Sequence, residues 1–83
     1  MARFYLHLHN RVGTVRDEEG QELPDLRAAR EVAITSIRSI IADEAQHGRI
    51  DLAGFVRITD GDERDLARIR FGDAFELLLD GAA

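Results

Sequence analysis

An α+β domain of order ββαββ, one long helix packed on an antiparallel sheet of two hairpins with a short helix at the end, is the fold this sequence predicts. Three features carry the prediction. Residues 4–9 alternate apolar and polar, residues 26–41 repeat apolar positions at helical spacing, and residues 55–71 alternate again around the turn sequence Asp-Gly-Asp-Glu-Arg. Strand and helix signals mixed in one 83-residue chain imply two layers around a single core, and 1–83 reads as one domain.

The first strand puts Phe4, Leu6 and Leu8 on one face and Tyr5, His7 and His9 on the other. Asn10 and Gly13 suit a turn that returns the chain through Thr14, Val15 and Arg16 as a short second strand. Residues 17–25, Asp-Glu-Glu-Gly-Gln-Glu-Leu-Pro-Asp, hold four carboxylates within their first six positions. Such a cluster cannot be buried together, so the segment reads as a solvated loop.

Asp25 is placed to cap the helix that follows by accepting from a first-turn amide. Glu22 and Asp25 also lie near the positive end of the helix dipole. Ala29, Ala33, Ile34, Ile37, Ile40 and Ile41 fall within one stripe, and Arg27, Glu31, Thr35 and Arg38 face away from it. Arg30 interrupts the front of the stripe, and we expect it to reach the sheet rim and pair with Glu22 or Asp17, holding the acidic loop. Glu44 returns to the centre of the stripe, which says that the core ends before the helix does. From Leu26 to Ile41 the helix covers about 22 Å, against roughly 24 Å for a seven-residue strand, so residues 42–47 overhang the sheet. Gly48 is suited to a left-handed stop.

With residues 61–64 as a four-residue loop, Val56 faces Ile69 and Ile58 faces Ala67 across the second hairpin. Its other side then carries Phe55, Arg57, Leu66, Arg68 and Arg70. After it, Asp73 is placed to cap a short helix with Phe75, Leu78 and Leu79 at i, i+3 and i+4.

Composition narrows the function classes. There is no cysteine, hence no disulfide framework and no zinc-thiolate site. No apolar run exceeds three residues, as at Leu77 to Leu79, far short of the roughly 18 residues of a membrane span, so the expectation is a cytoplasmic protein with no membrane partner. Eleven basic residues, all arginine, stand against 16 acidic ones for a net charge of -5, which disfavours general binding of nucleic acid. No serine elbow, P-loop or dinucleotide fingerprint is present, and the acidic loop lacks the alternating oxygen ligands of a calcium loop, so the chain reads as no enzyme and as needing no cofactor.

One helix covers one face of a four-stranded sheet. The opposite face then shows Tyr5, His7, His9, Phe55, Arg57, Leu66, Arg68 and Arg70, an aromatic and basic surface of the kind that contacts something. A two-fold dimer is the favoured use of it. The alternative, in which the hairpins lie in separate sheets or swap between chains, is also compatible with the sequence. His7 and His9, about 7 Å apart on one strand face, could share a metal only with a third ligand such as Asp17, Glu18 or His47; we read them instead as polar face residues, with no metal. The alternative use of the face is single-stranded nucleic-acid or other regulatory binding, with Tyr5 and Phe55 stacking bases and Arg57, Arg68 and Arg70 on phosphates.

The runs Arg-Phe-Tyr-Leu-His-Leu-His-Asn (3–10) and Asp-Glu-Glu-Gly-Gln-Glu-Leu-Pro-Asp-Leu-Arg-Ala-Ala-Arg-Glu (17–31), with Phe71 closing the last strand, resemble a family of small, mostly alphaproteobacterial proteins known as a domain of unknown function. The matching positions are Phe4, Tyr5, His7, Asp17, Gly20, Glu22, Leu23, Asp25, Ala28, Ala29, Arg30 and Phe71. Leu6 stands where the family often has a third aromatic, and Asp-Gly-Asp-Glu-Arg lacks the late glycine usual in its final hairpin. The resemblance implies this fold and a bacterial setting, and no activity. The expectation is therefore a self-associating protein-interaction module, a homodimer, with no catalytic residues.

Overall fold

The computed structural model describes residues 1–81 and places them in the order β1 (Ala2–Asn10), β2 (Thr14–Val15), β3 (Gln21–Leu23), α1 (Leu26–Gln46), β4 (Gly54–Thr59), β5 (Asp65–Arg70) and a 3-10 turn, Phe71–Ala74. All five strands form one antiparallel sheet, with β1 and β4 at its centre and β5 at one edge. β2 and β3 share the other side of β1: β3 runs along Ala2 to Phe4 and β2 along Leu8 and His9. The expected α+β class and the two hairpins are both present, in a single sheet.

Helix α1 lies on the Phe4, Leu6 and Leu8 face. Ala29, Ala33, Ile37 and Ile41, each four residues apart, are its buried positions. The two alanines let the backbone approach the sheet, and the two isoleucines fill the space beside Val56, Ile58, Ile69 and Phe71 in one core. Asp25 caps the helix as expected, its Oδ1 accepting from the Ala28 N–H at 2.9 Å. At the other end Gly48 adopts φ 83°, and the amides of Gly48 and Arg49 donate to the carbonyls of Ala45 and Glu44. That pair of bonds is the Schellman closure.

Four expectations are corrected. The acidic segment is not wholly a loop: Gln21, Glu22 and Leu23 form β3 against β1, because Leu23 packs on the core while the carboxylates stay outside. Arg30 pairs with neither Glu22 nor Asp17. It is exposed, and Arg3 holds that segment instead, donating to the Glu19 carbonyl at 2.7 Å and meeting Glu22 at 3.4 Å.

The second hairpin keeps Val56 opposite Ile69 and Ile58 opposite Ala67, but its loop is one residue longer than expected. Asp60 belongs to the loop, since its Oδ1 accepts the amides of Asp62 and Arg64. Thr59 therefore pairs with Asp65, and Leu66 is left as the extra residue of a bulge. Finally, no helix follows Asp73 among the described residues. Its carboxylate turns back to the Arg70 amide and guanidinium, Arg38 donates to the Ala74 carbonyl at 2.8 Å, and Phe75 is extended. Leu78 and Leu79 then find no apolar surface, and so short a helix is not stable without one.

Candidate contact face

The sheet face opposite α1 is built from three rows across β1, β4 and β5: Tyr5, Thr59 and Asp65; His7, Arg57 and Arg68; His9, Phe55 and Arg70. The structure thus brings seven of the eight expected face residues together, with Leu66 at the bulge on the β5 edge. The face has two unlike halves.

The first half is closed. His7 is only 2% exposed, so it is a floor residue and not a contact residue as expected. Its Nδ1 accepts the Asp17 N–H at 3.1 Å, which leaves the proton on Nε2 to be donated to the Thr59 hydroxyl at 3.0 Å. Burial, and then the charges of Arg57 and Arg16, hold its pKa below the usual histidine value, against an opposing pull from Asp17. The imidazole is neutral and both its nitrogens are engaged.

Asp17 does more than donate its amide. Between β2 and β3 no strand lines the middle of β1, and there the Asp17 carboxylate accepts the Leu6 N–H at 3.0 Å and the Gly20 N–H at 2.9 Å. A side chain thus continues the hydrogen-bond ladder of the sheet. Burial raises the pKa of this carboxyl, but the amides of Leu6, Gly20 and Glu19 outweigh it and hold the group below its ordinary value. Gly20 makes the turn possible: it sits at φ 68°, and a Cβ there would come within 2.9 Å of the Tyr5 ring and 2.8 Å of the Phe4 carbonyl. Above this floor lies a cleft of about 360 Å³ between residues 16–18 and the 60–63 turn, bridged by an Arg16–Glu63 ion pair.

The second half is open. The His9 ring stacks on Phe55 with centroids 4.5 Å apart, and the Arg68 guanidinium lies 4.1 Å from the centroid of the same phenyl ring. His9 Nδ1 is 3.0 Å from the Thr14 hydroxyl, and burial followed by the charges of Arg57 and Arg68 lowers its pKa. Arg57 binds Asp65 at 2.7 Å, and Arg70 binds Asp73 at 3.2 Å. Among the described residues, Arg68 is the arginine of these three rows that holds no carboxylate.

The remaining candidates do not converge. With both His7 nitrogens bonded, His7 and His9 have no shared vacancy, and no group of three His, Asp or Glu side chains among the described residues is arranged for a metal. His47 is spent on the helix end, its Nδ1 3.0 Å from the Asp43 carbonyl. Glu44 is half-buried beside a cleft of about 350 Å³ past the end of the core, with Phe71, Arg11 and Asp51 nearby; the Arg11 guanidinium holds the Asp51 carboxyl far below the usual carboxylate range. Ser36 and Ser39 are exposed on α1.

The parts that two residues play in the floor escaped sequence reasoning. Thr59 carries no local signal, because its role comes from lying on the strand beside His7. Asp17 did carry one: the spacing Asp-x-x-Gly is that of a side chain accepting the amide three residues on.

Fold and face together define a small α+β domain whose second sheet face is half sealed by its own polar latch and half open. The chain belongs to the family described as Domain of unknown function (DUF6894), whose model matches residues 3–72. No curated protein and no solved structure matches it. No helix among the described residues is long and apolar enough to cross a membrane.

Proposed function

We propose that this chain is a non-enzymatic protein-interaction module that associates with a second copy of itself about a two-fold axis, through the open half of the sheet face. The observation that carries the reading is the His9, Phe55 and Arg68 stack, with His9 and Arg68 reaching the Phe55 ring from the two neighbouring strands. Aromatic and arginine side chains with no lysine are the composition of interface centres, where planar guanidinium groups lose less entropy on contact. A domain of this size also buries a modest share of its own surface, so a partner adds what its core lacks.

The use of the same face for single-stranded nucleic acid is the weaker reading. Arg57 and Arg70 already neutralise Asp65 and Asp73, the net charge is -5, and one uncommitted arginine makes a poor phosphate track. The test is the mass in solution with and without a mixed oligonucleotide. A dimer mass that oligonucleotide leaves unchanged and that Phe55→Ala lowers to the monomer is the expected result. A monomer at every concentration refutes the reading, and a salt-dependent shift with oligonucleotide favours the alternative.

A further inference from the structure

The segment after the 3-10 turn holds the largest run of uncovered apolar side chains: Leu77, Leu78 and Leu79 are 57%, 83% and 85% exposed. Its root is fixed. Ala74 is buried, Arg38 holds its carbonyl, and Phe75 packs against the core with an extended backbone. Beyond that root the leucines lie outside the core cluster, and the molecule measures 47 Å along its longest axis against 24 and 19 Å on the others. Three neighbouring leucines exposed to this degree present roughly 400 Å², as much as the largest apolar patch of a typical monomer.

We infer that this segment of one copy lies across the open sheet face of a second copy, with Leu78 against the Phe55 and His9 rings and Glu76, on the same side of the extended chain, beside Arg68. The inference rests on the self-association proposed above and names what fills that face. Charge fits, because Arg68 has no carboxylate among the described residues and Glu76, next to the leucines, is exposed. Reach fits as well. Five extended residues span roughly 17 Å, and the path from β5 over β4 to β1 is about 10 Å. The area is modest: because an extended segment turns alternate side chains to the face, two reciprocal segments with the faces they cover bury on the order of 1,000 Å², the size of a weak, concentration-dependent dimer interface. The segment lies beyond the matched family region, which ends at residue 72.

Sedimentation of the full chain over a wide concentration range tests it, with circular dichroism as the check on folding. Leu78→Asp with Leu79→Asp changes only exposed positions, and the expected result is a dimer Kd raised about tenfold or more. Arg68→Glu weakens the dimer, and adding Glu76→Arg to it restores part of the loss. If the double leucine variant dimerises like the parent while Phe55→Ala does not, the segment is not the occupant and this inference falls while the face reading stands. If the parent itself stays monomeric, both fall.

Discussion

Replacing Asp17 by alanine removes two acceptors at once, from the Leu6 and Gly20 amides, and leaves the Leu6 N–H facing the sheet edge with no partner. Hydrogen bonds to a charged group contribute about 1.5–3 kcal/mol each, and with Asp17 half-buried the lower end applies, for a loss of about 3 kcal/mol in all. A domain of this length has roughly 4–12 kcal/mol to lose. The assay is urea unfolding at neutral pH. With a slope of about 1.5 kcal/mol/M the midpoint drops by about 2 M. Glu18→Ala, an exposed carboxylate next door, serves as control and should move the midpoint by almost nothing. If Asp17→Ala costs less than about 0.5 kcal/mol, water replaces the carboxylate at that edge and the latch described here is not a stabilising element.

The pH profile follows from the same groups. His7 has a lowered folded pKa, so its stabilisation is complete above the unfolded value of about 6.5 and is lost as pH falls through that value towards the folded one; His7→Gln flattens this limb in denaturation curves. Asp17, also lowered, adds a second loss that begins only near its ordinary value of about 3.8 and below, which Asp17→Asn removes. Ile37→Ala, at a fully buried position, costs about 2–5 kcal/mol by the same measurement. Glu63 has φ 63° in the second hairpin turn, where an L side chain costs about 1 kcal/mol, so Glu63→Gly raises thermal stability even though it gives up the exposed pair with Arg16.

Periodicity made the layers legible: the β1 alternation, the α1 stripe and the Val56–Ile69 register all follow from which side chains must leave water. The helix ends were legible too, since Asp25 and Gly48 act through bonds to their own neighbours. What misled was every group whose partner is distant in sequence. His7 looked like a wet face residue because nothing in its strand announces Thr59, 52 residues away, or the folding of residues 16–18 over it. Arg30 looked suited to the acidic loop, yet Arg3 is carried to it by β3 pairing, which a three-residue strand does not advertise. Phe75, Leu78 and Leu79 have helical spacing, and spacing alone does not supply the surface a helix must cover.

The carboxylate set into the side of β1 also limits how these molecules can grow. On that side the sheet ends in two fragments of two and three residues with a side chain between them, so no continuous strand of a neighbour can zip onto it. The six-residue β5, bent by its bulge, is the remaining edge. A molecule with one usable edge can pair through it once, whereas one with two would propagate into ribbons and fibres. Asp17, set between those two fragments, is in that sense part of a chain terminator for intermolecular β-structure.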